Sequence, residues 1–205
     1  MGILYPEELK QDKIMETIKD VLGQQYVTIK VTEFILKEAK ESSISCIFSS
    51  NSLHDDLSQI EGKGVGIVDA LYNGITSKLS KKFKTLASLQ FEDFSATVKF
   101  KGSKQKKGID APVEICLVLR NSQKKRLYFR ARSRSIAMAA VKVVSKAIEY
   151  LINAELAAIE LYKNIISAEN RNRDDLKATY TTQLSEVVQI TSYEKVIKSL
   201  DKRNY

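Results

Sequence analysis

Three glycines, Gly62, Gly64 and Gly66, alternate with other residues just before an apolar helical pattern that begins at Ile67. Glycine lets backbone approach a ligand closely, and the first turn of a helix leaves N–H groups free to bind a carboxylate. Asp69, in that first turn, is placed to balance an ammonium group. Two apolar residues of the turn would shape a small hydrophobic pocket: Val68 and Ala70. The same residues also suit a tight strand-to-helix turn with no ligand, in which Asp69 stabilises the helix dipole.

The other residue types that carry chemistry are few. The single histidine, His54, lies in a polar stretch and is expected to be a solvated loop residue. Cys46 and Cys116 each fall in an alternating apolar run, which is typical of buried free thiols rather than a disulfide or a metal pair. No Ser/His/Asp set, Cys–His pair or phosphate-binding Walker loop can be assembled. We therefore expect no catalytic residue, no metal site and no cofactor.

Positive charge is concentrated in one segment. Twelve Lys or Arg and two acids give the segment from Lys99 to Arg134 a net charge of +10, although the whole chain carries only +8. Such a segment is either the solvated face of strands or a surface for phosphates, a membrane or an acidic partner. The element order after Val68 is also that of a double-stranded RNA-binding domain, whose contacts would come from basic residues here: Lys124, Lys125, Arg126, Arg130, Arg132 and Arg134.

Composition excludes several classes of protein. At 43% apolar residues and only two prolines, the chain has enough hydrophobic material for a core and is not a disordered tail. It lacks both a run of roughly 18 apolar residues and a secretory signal, so we expect a cytoplasmic protein that does not contact a membrane.

The hydrophobic period changes along the chain between that of a helix and that of a strand. A helix is predicted over Pro6–Leu22. Alternation then predicts strands from Tyr26, from Ile44 and, more weakly, around Leu57–Ile60, before a helix over Ile67–Leu79.

The same order then recurs. Strands are predicted over 94–100, 113–119 and 127–131, a long helix over 136–168, and a final amphipathic helix over 176–200. The first of these strands is predicted to be half buried, because its apolar residues alternate cleanly with polar ones: Phe94, Ala96, Val98 and Phe100.

These patterns predict an α+β fold of two tandem βββα units, related by pseudo-twofold symmetry, with extra N- and C-terminal helices. The predicted regions are an N-terminal helix in 1–25, a tandem domain over 26–155 and a helical extension over 156–205. The two units cover about 26–83 and 86–155. Each three-stranded sheet needs a helix to cover one apolar face, and two units can bury the remaining apolar surface together.

A resemblance to a known family lies in the glycine-rich segment, which reads Gly62-Lys-Gly-Val-Gly-Ile-Val-Asp-Ala-Leu-Tyr-Asn-Gly-Ile. It is similar to the G-x-G-N-G-P-V-D-A-L-x-x-A-I stretch in the C-terminal regulatory domain of 2-isopropylmalate synthase, which citramalate synthase shares. Two segments of the second unit resemble the same domain: Gly108-Ile-Asp-Ala-Pro-Val-Glu-Ile-Cys-Leu and Arg132-Ser-Arg-Ser-Ile-Ala-Met-Ala-Ala. The resemblance covers roughly residues 26–155.

This resemblance implies a dimerising domain that binds leucine at glycine-rich turns near the starts of its helices. The ligand-binding residues that it implies lie in both units: Gly62, Gly64, Val65, Gly66, Val68, Asp69, Ala70, Asp110, Ala111, Ser133 and Ser135. Val65 and Ile67 stand where the family has Asn and Pro, so a different small ligand, or no ligand at all, stays open beside leucine.

The synthases carry a catalytic barrel with a metal-binding His-x-His pair ahead of this domain, and the sequence before Tyr26 is too short for one. We therefore expect a non-catalytic, stand-alone regulatory domain that forms a homodimer and acts on a separately encoded enzyme. Two alternatives remain open. One is a double-stranded RNA-binding protein that uses the segment from Lys99 to Arg134, although nucleic acid is the less favoured partner. The other is a structural assembly protein whose terminal helices dock a partner.

Overall fold

The computed structural model describes residues 6–38, 42–50, 59–98, 111–192 and Val196. Several residues discussed above lie outside the described residues, along with the start of the basic segment: His54, Leu57, Phe100 and Asp110.

Helix α1 spans Pro6–Leu22 and precedes the first unit. Strands β1 (Ile29–Glu38), β2 (Ser42–Ser50) and β3 (Ile60–Gly64) form an antiparallel sheet in the order β1-β2-β3. Helix α2 (Ile67–Leu79) follows. The third strand therefore includes two of the glycines that the sequence placed in a turn. The alternation signal failed there because Gly62 and Gly64 have no side chain to mark a face.

The second unit repeats this arrangement. Strands β4 (Gln90–Val98), β5 (Val113–Arg120) and β6 (Arg126–Ser133) form a second antiparallel sheet in the order β4-β5-β6. Helix α3 (Ile136–Asn170) follows, and then α4 (Asp174–Val187); Val196, further along the chain, is also helical. The predicted α+β fold, with two sheets each followed by a helix and a helix at either end, is confirmed. The pseudo-twofold relation of the units stays a prediction.

The two units share a detail of register. In the first sheet the pairing of β1 with β2 shifts between Val31 and Glu33, and in the second the pairing of β4 with β5 shifts between Phe91 and Asp93. Each shift lies near the start of the first strand of its unit, where an extra residue bends the strand and increases its twist. The register therefore repeats along with the element order.

Helix α3 lies at the centre of one hydrophobic core that draws on both units. It contacts α1, α2 and α4 as well as strands β1, β5 and β6. Many of its side chains are alanine or short β-branched residues. Neighbouring helices and strands can therefore approach α3 closely on several of its faces. The fully buried side chains of this helix include Ala140, Val144, Leu151 and Ala158.

Buried polar side chains of α3 hold the first unit in place. The Val27 N–H donates to Asn153 Oδ1 (2.8 Å), and Asn153 Nδ2 donates to the Val27 carbonyl (2.8 Å). Glu155, which is also buried, accepts hydrogen bonds from the backbone N–H groups of Lys84 (3.0 Å) and Thr85 (2.7 Å). A buried backbone group without a partner is costly, so these contacts tie both ends of the first unit to the helix of the second.

Strand β3 packs directly against α2, backbone to backbone. A methyl group at Gly62 would overlap the carbonyl oxygen of Ala70, and one at Gly64 would lie 2.5 Å from Ala70 N. On the helix, a methyl group at Gly74 would lie 2.7 Å from the carbonyl oxygen of Glu61. These three glycines are needed for close approach, which is the packing role of glycine where a strand meets a helix.

One edge of the second sheet is covered by a side chain of α1. Gln11 Nε2 donates to the carbonyl of Tyr128 (2.9 Å), and Gln11 Oε1 accepts from the N–H of the same residue (2.9 Å). The amide of Gln11 thus bonds the edge of β6 as a further strand would.

Strand β4, at the other edge, is more exposed than its alternation predicted. Phe94 is 40% exposed, whereas its neighbour in register, Leu117, is fully buried. Phe91 and Val98 are similarly exposed on the same face. The prediction of a half-buried strand is wrong for the described residues, because the apolar face of β4 is only partly covered. Tyr72 of α2 contacts the ring of Phe91 edge to face (ring centroids 5.3 Å apart), whereas Phe94 and Val98 stay exposed.

Helix α4 ends at Val187, well before the end near Leu200 that the sequence predicted. Asn121 Nδ2, in the turn between β5 and β6, donates to the carbonyls of Gln189 (2.8 Å) and Ile190 (3.3 Å). These bonds hold the chain in a turn where a helix would have continued.

Replacing Gly62 by Ala is expected to destabilise the protein by about 3 kcal/mol or more, since rigid backbone of α2 occupies the space that the methyl group needs. Gly66→Ala is the matched control, because no atom lies within 4 Å of an added methyl group and the backbone is extended. Its free energy of unfolding should change by less than about 1 kcal/mol, because the restricted unfolded chain favours alanine whereas the N-cap position favours glycine. Urea denaturation measures both, and an equal loss in the two variants would contradict the close contact of β3 with α2.

Asn153→Leu should lower the free energy of unfolding by about 2–4 kcal/mol, because it leaves the buried N–H and C=O of Val27 without partners. Asn164→Leu on the same helix is the control, since the side chain of Asn164 makes no hydrogen bond within the described residues. Its cost should be below about 0.5 kcal/mol. Thermal and urea unfolding compare the two variants, and similar losses would show that the bonds to Val27 contribute little.

Candidate functional site

The turn between β3 and α2 consists of Val65 and Gly66. Gly66 is the N-cap residue of α2 in extended backbone (φ −150°), and its carbonyl accepts the first helical hydrogen bond, from Ala70 N (2.8 Å). Val65 is 92% exposed, and the space beside Gly66 is open. A ligand could therefore reach the start of α2 from solvent.

Asp69 closes this turn. Its Oδ2 accepts from the N–H of Val65 (3.0 Å), and its Oδ1 accepts from Asn73 Nδ2 (3.3 Å). Asn73 Nδ2 also donates to the carbonyl of Lys63 (3.1 Å), which ties the end of β3 to α2. A carboxylate in the first turn of a helix is favourable for the helix dipole. Asp69 thus has a structural role in the turn, as the ligand-free interpretation of the sequence expects.

The backbone groups that would bind a carboxylate are open. Within the described part of the chain, no group accepts a hydrogen bond from the N–H of Ile67, Val68 or Asp69. The side chains of Val68 and Ala70, however, are buried in the core. The apolar surface next to these N–H groups comes instead from exposed Val65 and half-buried Ile67.

A cavity of about 420 Å³ lies beside Gly62 on the first sheet. Its lining combines an exposed isoleucine with serines and charged residues, together with Ile44 of β2: Ile35, Lys37, Ser43, Ser45, Glu61 and Lys63. This surface was not predicted from the sequence. A signal was present, because Phe34, Ile35 and Leu36 are three consecutive apolar residues, and in a strand this makes both faces apolar.

The corresponding turn of the second unit lies between β6 and α3. Ser133 ends β6 opposite Val113, as Gly64 ends β3 opposite Ser42. Ser135 is the N-cap residue, and its Oγ accepts from the N–H of Met138 (3.3 Å).

The other two predicted ligand residues of this unit precede β5 in the sequence. Ala111 is half buried just before β5, and Asp110 lies outside the described residues. No hydrogen bond between described residues joins the two turns.

Four of the five arginines of the basic segment pair with carboxylates of the same chain. Arg120 and Arg126 share Glu92, with Nε to carboxylate distances of 2.9 and 2.6 Å. Hydrogen bonds from Arg120 and then Arg126 lower the pKa of Glu92 to about 2.

Two more arginines are paired in the same way. Arg130 pairs with Glu8 (2.6 Å) and Glu114 (3.9 Å), and Arg132 also pairs with Glu114. Three of the six residues assigned to RNA contacts therefore have intramolecular ion-pair partners: Arg126, Arg130 and Arg132.

Neither cysteine forms a disulfide. Burial raises the pKa of the Cys46 thiol to about 12, and burial is also the largest cause that raises the pKa of Cys116. In the residues that the structure describes, no group of three His, Cys, Asp or Glu side chains could hold a metal ion. None of the described helices is long and apolar enough to cross a membrane.

Comparison with curated proteins gave no match. Comparison with protein families gave a match to the LeuA allosteric (dimerisation) domain over residues 8–152. The matched range runs from α1 into α3 and includes both sheets and both turns. It agrees with the resemblance that the glycine-rich segment showed. Because the match covers well over half of the chain, this protein belongs to the family of LeuA allosteric (dimerisation) domains.

Proposed function

We propose that the chain is a non-catalytic regulatory domain that forms a homodimer and binds leucine, or a related aliphatic amino acid, at the start of α2. The observation that carries the ligand proposal is the set of open N–H groups at Ile67, Val68 and Asp69 beside an unobstructed Gly66. Family membership supports the regulatory and dimerising role.

The three parts of an aliphatic amino acid each have a counterpart at this turn. The carboxylate would accept hydrogen bonds from the N–H groups of the first turn of α2, where the helix dipole also favours negative charge. The ammonium group would lie near the carboxylate of Asp69, which keeps acceptor capacity beyond its two hydrogen bonds. The aliphatic side chain would cover part of the exposed surface of Val65.

The effect of ligand binding would be transmitted to an enzyme through the packed core of the domain. The start of α2 is joined to β3 by close backbone packing, and α2 contacts α3. A ligand that stabilises the turn would therefore act on the core that both units share. The target, in this proposal, is a biosynthetic enzyme of the cytoplasm.

We also propose that β4 forms the dimer interface. Its apolar side chains lie on the same face of the sheet as the buried side chains of β5, but they are partly exposed to solvent. The sheet therefore presents an exposed apolar strip along β4, next to the packed core. Interfaces of permanent dimers resemble a domain core divided in two, and an unpaired edge strand invites association. The occupant of the strip is a second copy of this chain, in keeping with the family's dimerisation role.

Isothermal titration with leucine, isoleucine and valine tests the ligand. Gly66→Val should abolish the heat of binding, because the new side chain fills the open space in front of the first turn of α2. Extended backbone suits a β-branched residue, so the melting temperature without ligand should change by less than about 4 °C, which corresponds to about 1 kcal/mol.

The wild-type chain should also be stabilised by about 2.7 kcal/mol at a ligand concentration 100 times the dissociation constant. Absence of both heat and thermal shift with all three amino acids would exclude the proposed ligand class and leave the dimerisation proposal untouched.

Phe94→Glu should convert a dimer into a monomer of 23.1 kDa, because it places a charge in the centre of the proposed interface. Ser95→Glu is the matched control, since Ser95 is exposed on the opposite face of the same strand. Sedimentation equilibrium measures the mass of each variant. A dimer that survives Phe94→Glu, or that Ser95→Glu disrupts equally, would place the interface elsewhere.

A further inference from the structure

A second cleft, far in sequence from the α2 turn, lies between α1, the turn joining β5 and β6, α3 and the segment that follows α4. Its volume is about 520 Å³, within the range of roughly 300–1,000 Å³ that is usual for small-molecule sites. Glu7 of the lining, and Gln189 and Ile190 on the other side, lie outside the residues that match the family. One wall of the cleft, at Gln189 and Ile190, therefore comes from the part of the chain that follows the family match.

The floor of the cleft is apolar. It is formed by Ile14 of α1, Leu127 of β6, Tyr150 of α3 and Ile190, all of which are buried. The Tyr150 hydroxyl donates to the backbone carbonyl of Gln11 (3.4 Å), which leaves its ring as apolar surface. Such a floor would bind an aliphatic or aromatic body through burial of apolar area.

The rim of the cleft is cationic. Five cations line it, of which Arg120 and Arg126 share Glu92, and Lys125 Nζ donates to Gln189 Oε1 (2.8 Å). The other two, Lys10 and Lys124, have no carboxylate partner within the described residues.

Lys124 has left-handed backbone (φ 60°). An unbranched lysine rarely adopts this conformation. Lys124 lies in the turn between β5 and β6 and lines the cleft, as Lys10 of α1 does.

One lining residue opposes an anion. Glu7 stands on the same helix as Lys10, and it has no hydrogen-bond or ion-pair partner among the described residues. The net charge of the rim is therefore positive, and the carboxylate of Glu7 reduces it. Removal of this carboxylate should strengthen the binding of an anion.

We propose that this cleft binds a small carboxylate with an aliphatic body, whose apolar part contacts the floor and whose carboxylate lies between Lys10 and Lys124. The cations surround an apolar floor of limited volume, which suits a compact amphipathic anion better than a polyphosphate chain. This proposal is independent of leucine binding at α2, because the two sites share no residue.

The test uses the full chain and octanoate, below its micelle-forming concentration, in isothermal titration. Octanoate should bind at least about tenfold more tightly than octan-1-ol, and its affinity should fall as salt rises, because the charge contact accounts for the difference. Equal affinity for acid and alcohol would show that the cations play no part and would overturn the proposal, as would an absence of octanoate binding. Binding of duplex RNA in place of octanoate would also overturn it.

The double variant Lys10→Gln with Lys124→Asn should weaken octanoate binding by about tenfold, and Asn suits the left-handed backbone at 124. Lys13→Gln is the control, because Lys13 is exposed on the same helix but does not line the cleft. Its affinity should stay within about twofold of wild type, whereas Glu7→Gln should raise affinity about twofold to threefold. Equal weakening by Lys13→Gln and the double variant would mean a general charge effect and no site.

Discussion

The pair of hydrogen bonds between Asn153 and Val27 is the constraint on which the arrangement of the two units depends. Asn153 is a fully buried polar residue on the helix of the second unit, and Val27 precedes the first strand of the first unit. Neither group can reach water, so each requires the other in one register and one orientation. Glu155, two residues further along α3, binds the backbone where the first unit ends, at Lys84 and Thr85. The first unit is therefore fixed at both ends by the helix that belongs to the second.

This constraint bears on the α2 turn. Helix α2 packs on β3 without intervening side chains, and it also contacts α3. A turn built in this way has a defined shape before any ligand arrives, since Asp69 and Asn73 already hold the chain on either side of it. Preorganisation of this kind reduces the conformational entropy that binding must remove. Gly62 and Gly64 thus allow β3 and α2 to pack closely. Gly66 has no side chain, and this leaves the N–H groups of the first turn of α2 accessible.

Much of the fold could be predicted from the sequence, because period-two alternation and helical spacing report directly which face of an element is apolar. The signal failed at β3, where Gly62 and Gly64 carry no side chain to show a period. The same signal gave a wrong prediction of burial at β4. Alternation identifies the apolar face of a strand, but it does not indicate whether another element covers that face. The ion pairs of Arg130 with Glu8 and of Arg126 with Glu92 were also out of reach, because their partners are distant in sequence.

The candidate site was predicted in part. The glycine pattern located the turn. The sequence left open whether Asp69 contacts a ligand or stabilises the turn, and its carboxylate does bind the backbone of the turn. Val68 and Ala70 were assigned to a ligand pocket because they are apolar and close in sequence, but the helix turns both into the core. Buried polar residues such as Asn153 and Glu155 were missed, because a polar residue on a long helix resembles a solvent-facing one until the neighbouring elements are known.

The amide of Gln11 has a consequence for the size of any assembly. By bonding both backbone groups of Tyr128, it occupies the edge of β6 and prevents another strand from adding there. Among the described strands of this sheet, growth is possible from β4 alone. Two chains joined through β4 would use the free edge of both second sheets at once, so extension of this sheet would stop at the pair instead of continuing into a fibril.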